Sequence, residues 1–96
     1  MSKITHDVIK KEEILNLHPA EQDVLQKKEM QAHRRACLSE ALQNASKYYK
    51  KATVLFQTEE GVKQLTATIW AMTDRNIVFK GGITIPICSI LDVQLL

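Results

Sequence analysis

The 96 residues carry 13 Lys or Arg against 11 Asp or Glu, a formal charge of +2, with 45% apolar residues, three Gly and two Pro. That balance excludes a disordered chain, and two Cys are too few for a disulfide framework. No apolar run approaches a membrane span and the opening MSKITHDVIKKEE has no apolar leader core, so a cytoplasmic protein without membrane contact is expected.

The charge is uneven. Residues 1–51 hold ten Lys or Arg against seven Asp or Glu, or +3, whereas residues 52–96 hold three against four, or −1. A single domain, residues 1–96, is expected, with a helical segment at 1–51 and an antiparallel β meander at 52–96. A core this small leaves an oligomeric interface room to contribute stability.

In chain order, a short helix is expected from Val8 to Leu15, capped by Asp7, with Ile4, Val8 and Leu15 near one side. The Leu17-His18-Pro19 stretch bends the chain. A long helix is then expected from Pro19 to about Tyr49, since proline suits a first helical position and Glu21 and Asp23 suit the positive end of the dipole. Leu38, Ala41, Leu42, Ala45 and Tyr48 or Tyr49 recur at helical steps and form one buried stripe. Lys27, Lys28, Arg34, Arg35, Lys47, Lys50 and Lys51 make this half basic, with Glu21, Asp23, Glu29 and Glu40 among them. Such a face is ordinarily solvated. It is also the candidate contact for an anionic surface or a nucleic acid.

From Thr53 onward, β-branched and apolar runs are interrupted at EEG, TDRN and KGG, each a reversal point. Gly81-Gly82 reads as a hairpin turn requiring positive φ, being too short to cradle a phosphate. In the long second strand Leu65, Ala67, Ile69 and Ala71 alternate with Thr66, Thr68, Trp70 and Met72. Both faces are apolar. The helix stripe covers one, and Trp70, Met72 and Val78 on the other are the candidate interface for barrel closure or a second subunit. Pro86 places its strand at an edge or a bend. The expected fold is therefore α+β, with an N-terminal helical segment packed on a four- or five-stranded antiparallel meander or small, partly closed barrel.

The stretch ATIWAMTDRNIVFKGGITIPICSILDV resembles the C-terminal half of a family of short uncharacterised bacterial proteins. These share a TIW strand, a KGGxTIPIxxI hairpin and an upstream Leu-Asn-x-His-Pro segment, echoed by Leu15, Asn16, His18 and Pro19. The resemblance implies no particular activity. A helix followed by a five-strand meander is also similar, in topology, to Sm-like RNA-binding barrels, which implies RNA binding as an alternative function. The chain departs from those proteins at Thr66, Ala67 and Thr68, where they bend on a glycine. It departs again at Pro86, Ile87 and Cys88, where bacterial members carry a Tyr-Lys-His group.

Three groups have residue types capable of chemistry. His33 and Cys37 are four apart and share a helix face, the spacing for an imidazole beside a thiol or for two zinc ligands. No third ligand accompanies them in the sequence, so a surface His beside a packed Cys is the simpler reading. Asp74 and Arg75 sit in the TDRN turn, where Asp and Asn are ordinary turn formers and a ligand contact is the alternative. Trp70 and Tyr48 or Tyr49 could stack on bases, but at this spacing they serve a core or interface. The sequence thus points to a small non-enzymatic oligomeric binding or scaffolding module with no cofactor, no metal and no catalytic residues. Homo-oligomerisation is expected, with RNA binding as the alternative and a thiol or metal enzyme at His33 and Cys37 as the minor one.

Overall fold

The computed structural model of the chain describes residues 7–95. In order come β1 (Asp7–Val8), a 3-10 turn (Lys11–Asn16), α1 (Lys28–Tyr48), β2 (Ala52–Thr58), β3 (Gly61–Ala67), β4 (Ile69–Met72), β5 (Asn76–Phe79), β6 (Ile83–Pro86), a second 3-10 turn (Ile87–Ser89) and β7 (Ile90–Leu95). The strands form a four-stranded sheet in the order β1-β3-β2-β7 and a three-stranded sheet in the order β4-β5-β6. The fold is α+β. The strands do not close into a barrel, and all pairings are antiparallel except β1 on β3.

The reversals fall where the turn residues stand. Thr58 and Gly61 close a hairpin around Glu59-Glu60, where Thr58 Oγ1 donates to the Gly61 carbonyl at 2.7 Å and Gly61 adopts φ 115°. Gly81 and Gly82, at φ 98° and 83°, turn β5 into β6, as the steric freedom of glycine allows. Between β4 and β5 the Thr73 hydroxyl accepts from the amides of Asn76 at 2.9 Å and Arg75 at 3.3 Å, a side-chain-stabilised turn.

Alternation along the strands builds the core. Val54, Phe56, Leu65, Ile69, Ile77, Phe79, Ile85 and Ile90 are almost wholly buried between the two sheets and α1. From α1 come Leu38 and Ala41, set against β4 and β7. The helical stripe is Arg34, Leu38, Ala41 and Ala45, with Leu42 half-buried beside it. Tyr48 and Tyr49 leave that stripe. Tyr49 is 87% exposed and left-handed at φ 58°, where its amide donates to the Ala45 carbonyl and ends the helix.

Three expectations are corrected, the first two of them element boundaries. The long helix begins at Lys28, not Pro19, because the segment before it is bonded elsewhere in the fold: Pro19 bridges Thr58, the Ala20 amide donates to the Gln57 carbonyl and the Val24 amide to the Cys88 carbonyl. The Asp23 carboxylate accepts the Leu25 amide at 2.8 Å, an Asx turn that competes with helix. The expected helix at Val8–Leu15 is instead β1 followed by a 3-10 turn, since Val8 pairs with Gln64 and the Ile9 amide donates to the Gln64 carbonyl. Ile4 lies outside the described residues.

The third correction concerns the second face. Ile69 pairs with Phe79, but the register then shifts so that Ala71 pairs with Val78 and Met72 with Ile77. A bulge at Trp70 reverses the alternation. Met72 therefore packs against the core, Val78 is half-buried and Trp70 alone of the three is 57% exposed.

Leu38→Ala should lower stability by about 2–5 kcal/mol, as for a fully buried leucine, and Leu42→Ala by clearly less. Denaturant melts check the order. Equal midpoints would place the anchoring face of α1 wrongly.

Candidate functional site

A cleft of about 790 Å³ opens on one side of the molecule. The segment before α1, the N-terminal half of α1, the β4–β5 turn and the end of β6 enclose it. Its apolar lining is Ala32 from α1 with Pro86, Ile87 and Cys88 from the β6 end. Lys28, Arg34 and Arg35 enter from α1 and Arg75 from the turn, opposed by Glu21, Asp23 and Asp74.

One interaction shapes the wall. Arg34 is 7% exposed, and its guanidinium forks onto Asp23, with Nη1 donating to Oδ1 at 3.0 Å and Nη2 to Oδ2 at 2.7 Å. Nη1 also donates to the Ile90 carbonyl at 3.0 Å. A charge this buried needs a bidentate partner and a further acceptor, and here the two come from the segment before α1 and from β7. Among the described residues the buried Nε of Arg34 has no hydrogen-bond partner. The Arg34 hydrogen bond, reinforced by the Leu25 amide, holds the Asp23 carboxyl below its ordinary range, although burial opposes this.

Arg35, exposed one residue on, donates from Nη2 to the Asp74 carbonyl at 2.9 Å and so ties α1 to the β4–β5 turn. Among the described residues no carboxylate pairs with Lys28, Arg35 or Arg75. Cys88 closes the floor, its Sγ 3.4 Å from the Ala20 carbonyl oxygen, and burial raises its thiol above the usual value.

The seven basic residues read from the sequence thus separate. Lys28, Arg34 and Arg35 line the cleft, Lys27 is exposed at the helix start, and Lys47, Lys50 and Lys51 stand at the other end of α1, roughly 28 Å along its axis. Arg34 is a correction. Its side chain is buried in the Asp23 fork, so it belongs to the wall and not to an exposed basic face. Lys50 Nζ sits 5.9 Å from the Tyr48 ring centroid, a cation–π distance at an exposed site.

His33 and Cys37 do meet, with Nε2 and Sγ 3.5 Å apart, beside a smaller cleft of about 230 Å³ between α1 and β7. Among the described residues no carboxylate pairs with His33 and no third metal ligand joins the two. A different trio was not visible in the sequence: His18, Glu59 and Glu60 converge because Pro19 bridges Thr58. His18 Nδ1 lies 2.9 Å from Glu60 Oε2 and 3.8 Å from Glu59 Oε2, and its amide donates to Glu60 Oε1 at 3.1 Å. The Glu60 hydrogen bond raises the His18 pKa above its ordinary value and the same contact lowers that of Glu60. All three are exposed.

Sequence reasoning placed Asp23 on a helix and left Cys88 as a filler. The signal for Asp23 was its position before the true helix start, where an Asx turn fits better than a helical residue. No known protein family, curated protein or solved structure matches the chain.

The two shifted groups have opposite signs of pH dependence. The Asp23 contribution is complete above its unfolded value of about 3.9 and is lost as pH falls through the lower folded value, so Asp23→Asn should flatten stability against pH in that acid window. The His18 contribution is complete below about 6.5 and is lost as pH rises through the higher folded value. An NMR titration should find His18 above its ordinary value in the native chain and lower in Glu60→Gln, where only Glu59 still raises it. An unshifted native histidine would show that the contact with Glu60 does not persist in solution.

Proposed function

We propose that this chain is a small non-enzymatic binding or scaffolding module that works as a homo-oligomer. The observation that carries the reading is Trp70: a large aromatic side chain 57% exposed on β4, at the bulge where the strand leaves its alternation. Indoles are enriched at interfaces because they bury a large apolar area while keeping one donor for a polar partner. The sheet ends support the same reading. β6 and β7 are the last strands of their sheets, each bonded on one side, and so offer backbone donors and acceptors to another chain. Both are partly guarded, by Pro86 in β6 and by the Asp92 carboxylate accepting the Val93 amide at 2.9 Å in β7. Such guarding selects one register of pairing over open-ended aggregation. No described helix is long and apolar enough to cross a membrane.

The RNA-binding alternative draws support from the exposed cations on α1. Their separation into two groups at opposite ends of the helix disfavours one continuous backbone track. Among the described residues His33 and Cys37 make contact without an orienting carboxylate, which disfavours the thiol enzyme.

Light scattering on the full chain tests the reading. A dimer or larger species is expected at micromolar concentration, and Trp70→Glu should shift it toward monomer with the far-ultraviolet spectrum unchanged. A native monomer at several hundred micromolar would contradict it.

A further inference from the structure

We infer that the cleft between the N-terminal half of α1, the β4–β5 turn and the end of β6 binds a phosphorylated small molecule of the nucleoside-phosphate class. The inference does not rest on self-association: the cleft shares only Pro86 of β6 with the proposed interface and includes neither Trp70 nor any residue of β7.

Charge carries the first part. Lys28, Arg35 and Arg75 line one concavity from two elements distant in sequence, and no carboxylate pairs with any of them among the described residues. Asp23 is taken up by Arg34, and Glu21 and Asp74 share the cleft without coming within ion-pair distance of the three cations, so their mutual repulsion is only partly offset and a bound anion relieves the remainder. Here the protein holds them in place: Arg35 is fixed by its bond to the Asp74 carbonyl, and Arg75 follows from the hydroxyl-stabilised turn that the Thr73 side chain makes. Two guanidinium forks and an ammonium suit the oxygens of a phosphate, which can accept from several donors at once.

The start of α1 adds to this. The helix opens on Lys27 and Lys28 with no side-chain cap, so positive side chains sit at the positive end of the dipole. Glu29 in the first turn offsets that charge in part, and with no capping hydroxyl at Lys27 a bound anion adds to it from outside the chain. In the wall, Arg34 keeps Nε without a partner among the described residues although its other contacts are made.

The remaining lining selects within anions. Glu21 and Asp74 would repel a bare polyanion, yet each is an acceptor for hydroxyl groups of a sugar. Pro86 and Ile87 with Ala32 give an apolar surface for a planar body, and 790 Å³ is in the ordinary range for a small-molecule site. Phosphate at the cations, hydroxyls at the two acids and an apolar ring on the β6 end together describe a nucleoside phosphate.

Titration calorimetry of the full chain with adenosine diphosphate, inorganic phosphate, adenosine and a ten-nucleotide uridine RNA decides the matter. Adenosine diphosphate should bind saturably and at least about tenfold more tightly than phosphate or adenosine, since both halves of the ligand find partners. Arg75→Ala and Lys28→Ala, both exposed positions, should each weaken it by roughly tenfold, whereas Lys50→Ala at the far end of α1 leaves it unchanged. No saturation by millimolar adenosine diphosphate would overturn the inference. So would equal weakening by Lys50→Ala, or binding confined to the RNA, since either assigns the phosphate contacts to diffuse charge along the helix.

Discussion

A buried guanidinium cannot be left alone, and the arrangement around Arg34 follows from that constraint. Breaking a buried ion pair by removing one partner costs about 3–5 kcal/mol, against about 0–1 kcal/mol for an exposed pair. Arg34 is on the same helical stripe as Leu38, Ala41 and Ala45, so the packing of α1 carries the charge inward. There the Asp23 fork and the Ile90 carbonyl receive it. The segment before α1 is thereby held against β7, the Asp23 side chain also closes its own turn on Leu25, and the helix starts only after this is complete.

The cleft is a consequence of that fastening. With residues 20–25 held by the Ala20 amide on the Gln57 carbonyl of β2 and by the Val24 amide on the Cys88 carbonyl after β6, the ground between them and the β4–β5 turn stays open. Arg35, next in sequence to the buried Arg34, necessarily faces a different direction on the helix and reaches the turn carbonyl of Asp74. One arginine thus builds the wall and its neighbour sets a charge beside it. The exposed His18–Glu60 contact fastens the same segment at its other end, on the β2–β3 hairpin.

Local patterns in the sequence were legible where one rule decided the outcome. The turns at Glu59-Glu60-Gly61, Thr73–Asn76 and Lys80-Gly81-Gly82 have residues that suit reversals, and the alternation of Val54, Phe56 and Leu65 follows from a single buried sheet face. The Leu38, Ala41 and Ala45 stripe was equally plain. The bulge at Trp70 was not, because an inserted residue leaves composition unchanged while moving Met72 from one face to the other. Residues 19–27 also misled, since Pro19, Glu21 and Asp23 each suit a helix start, and only tertiary bonds to Gln57 and Cys88 override them. The candidate cleft was the least legible feature: it joins Lys28 and Arg35 to Arg75, forty residues further on, through the packing of α1 beside the β4–β5 turn.

Hydrogen exchange on the native chain and on Arg34→Met tests the central role of the buried fork most directly. The variant keeps an unbranched apolar side chain on the stripe but removes the guanidinium donors to Asp23 and Ile90. The Val24 and Leu25 amides, bonded to the Cys88 carbonyl and the Asp23 carboxylate, should lose their protection while those of β2 and β3 retain it. Unchanged protection at Val24 and Leu25 would contradict the account, because the segment would then be held by contacts other than Arg34.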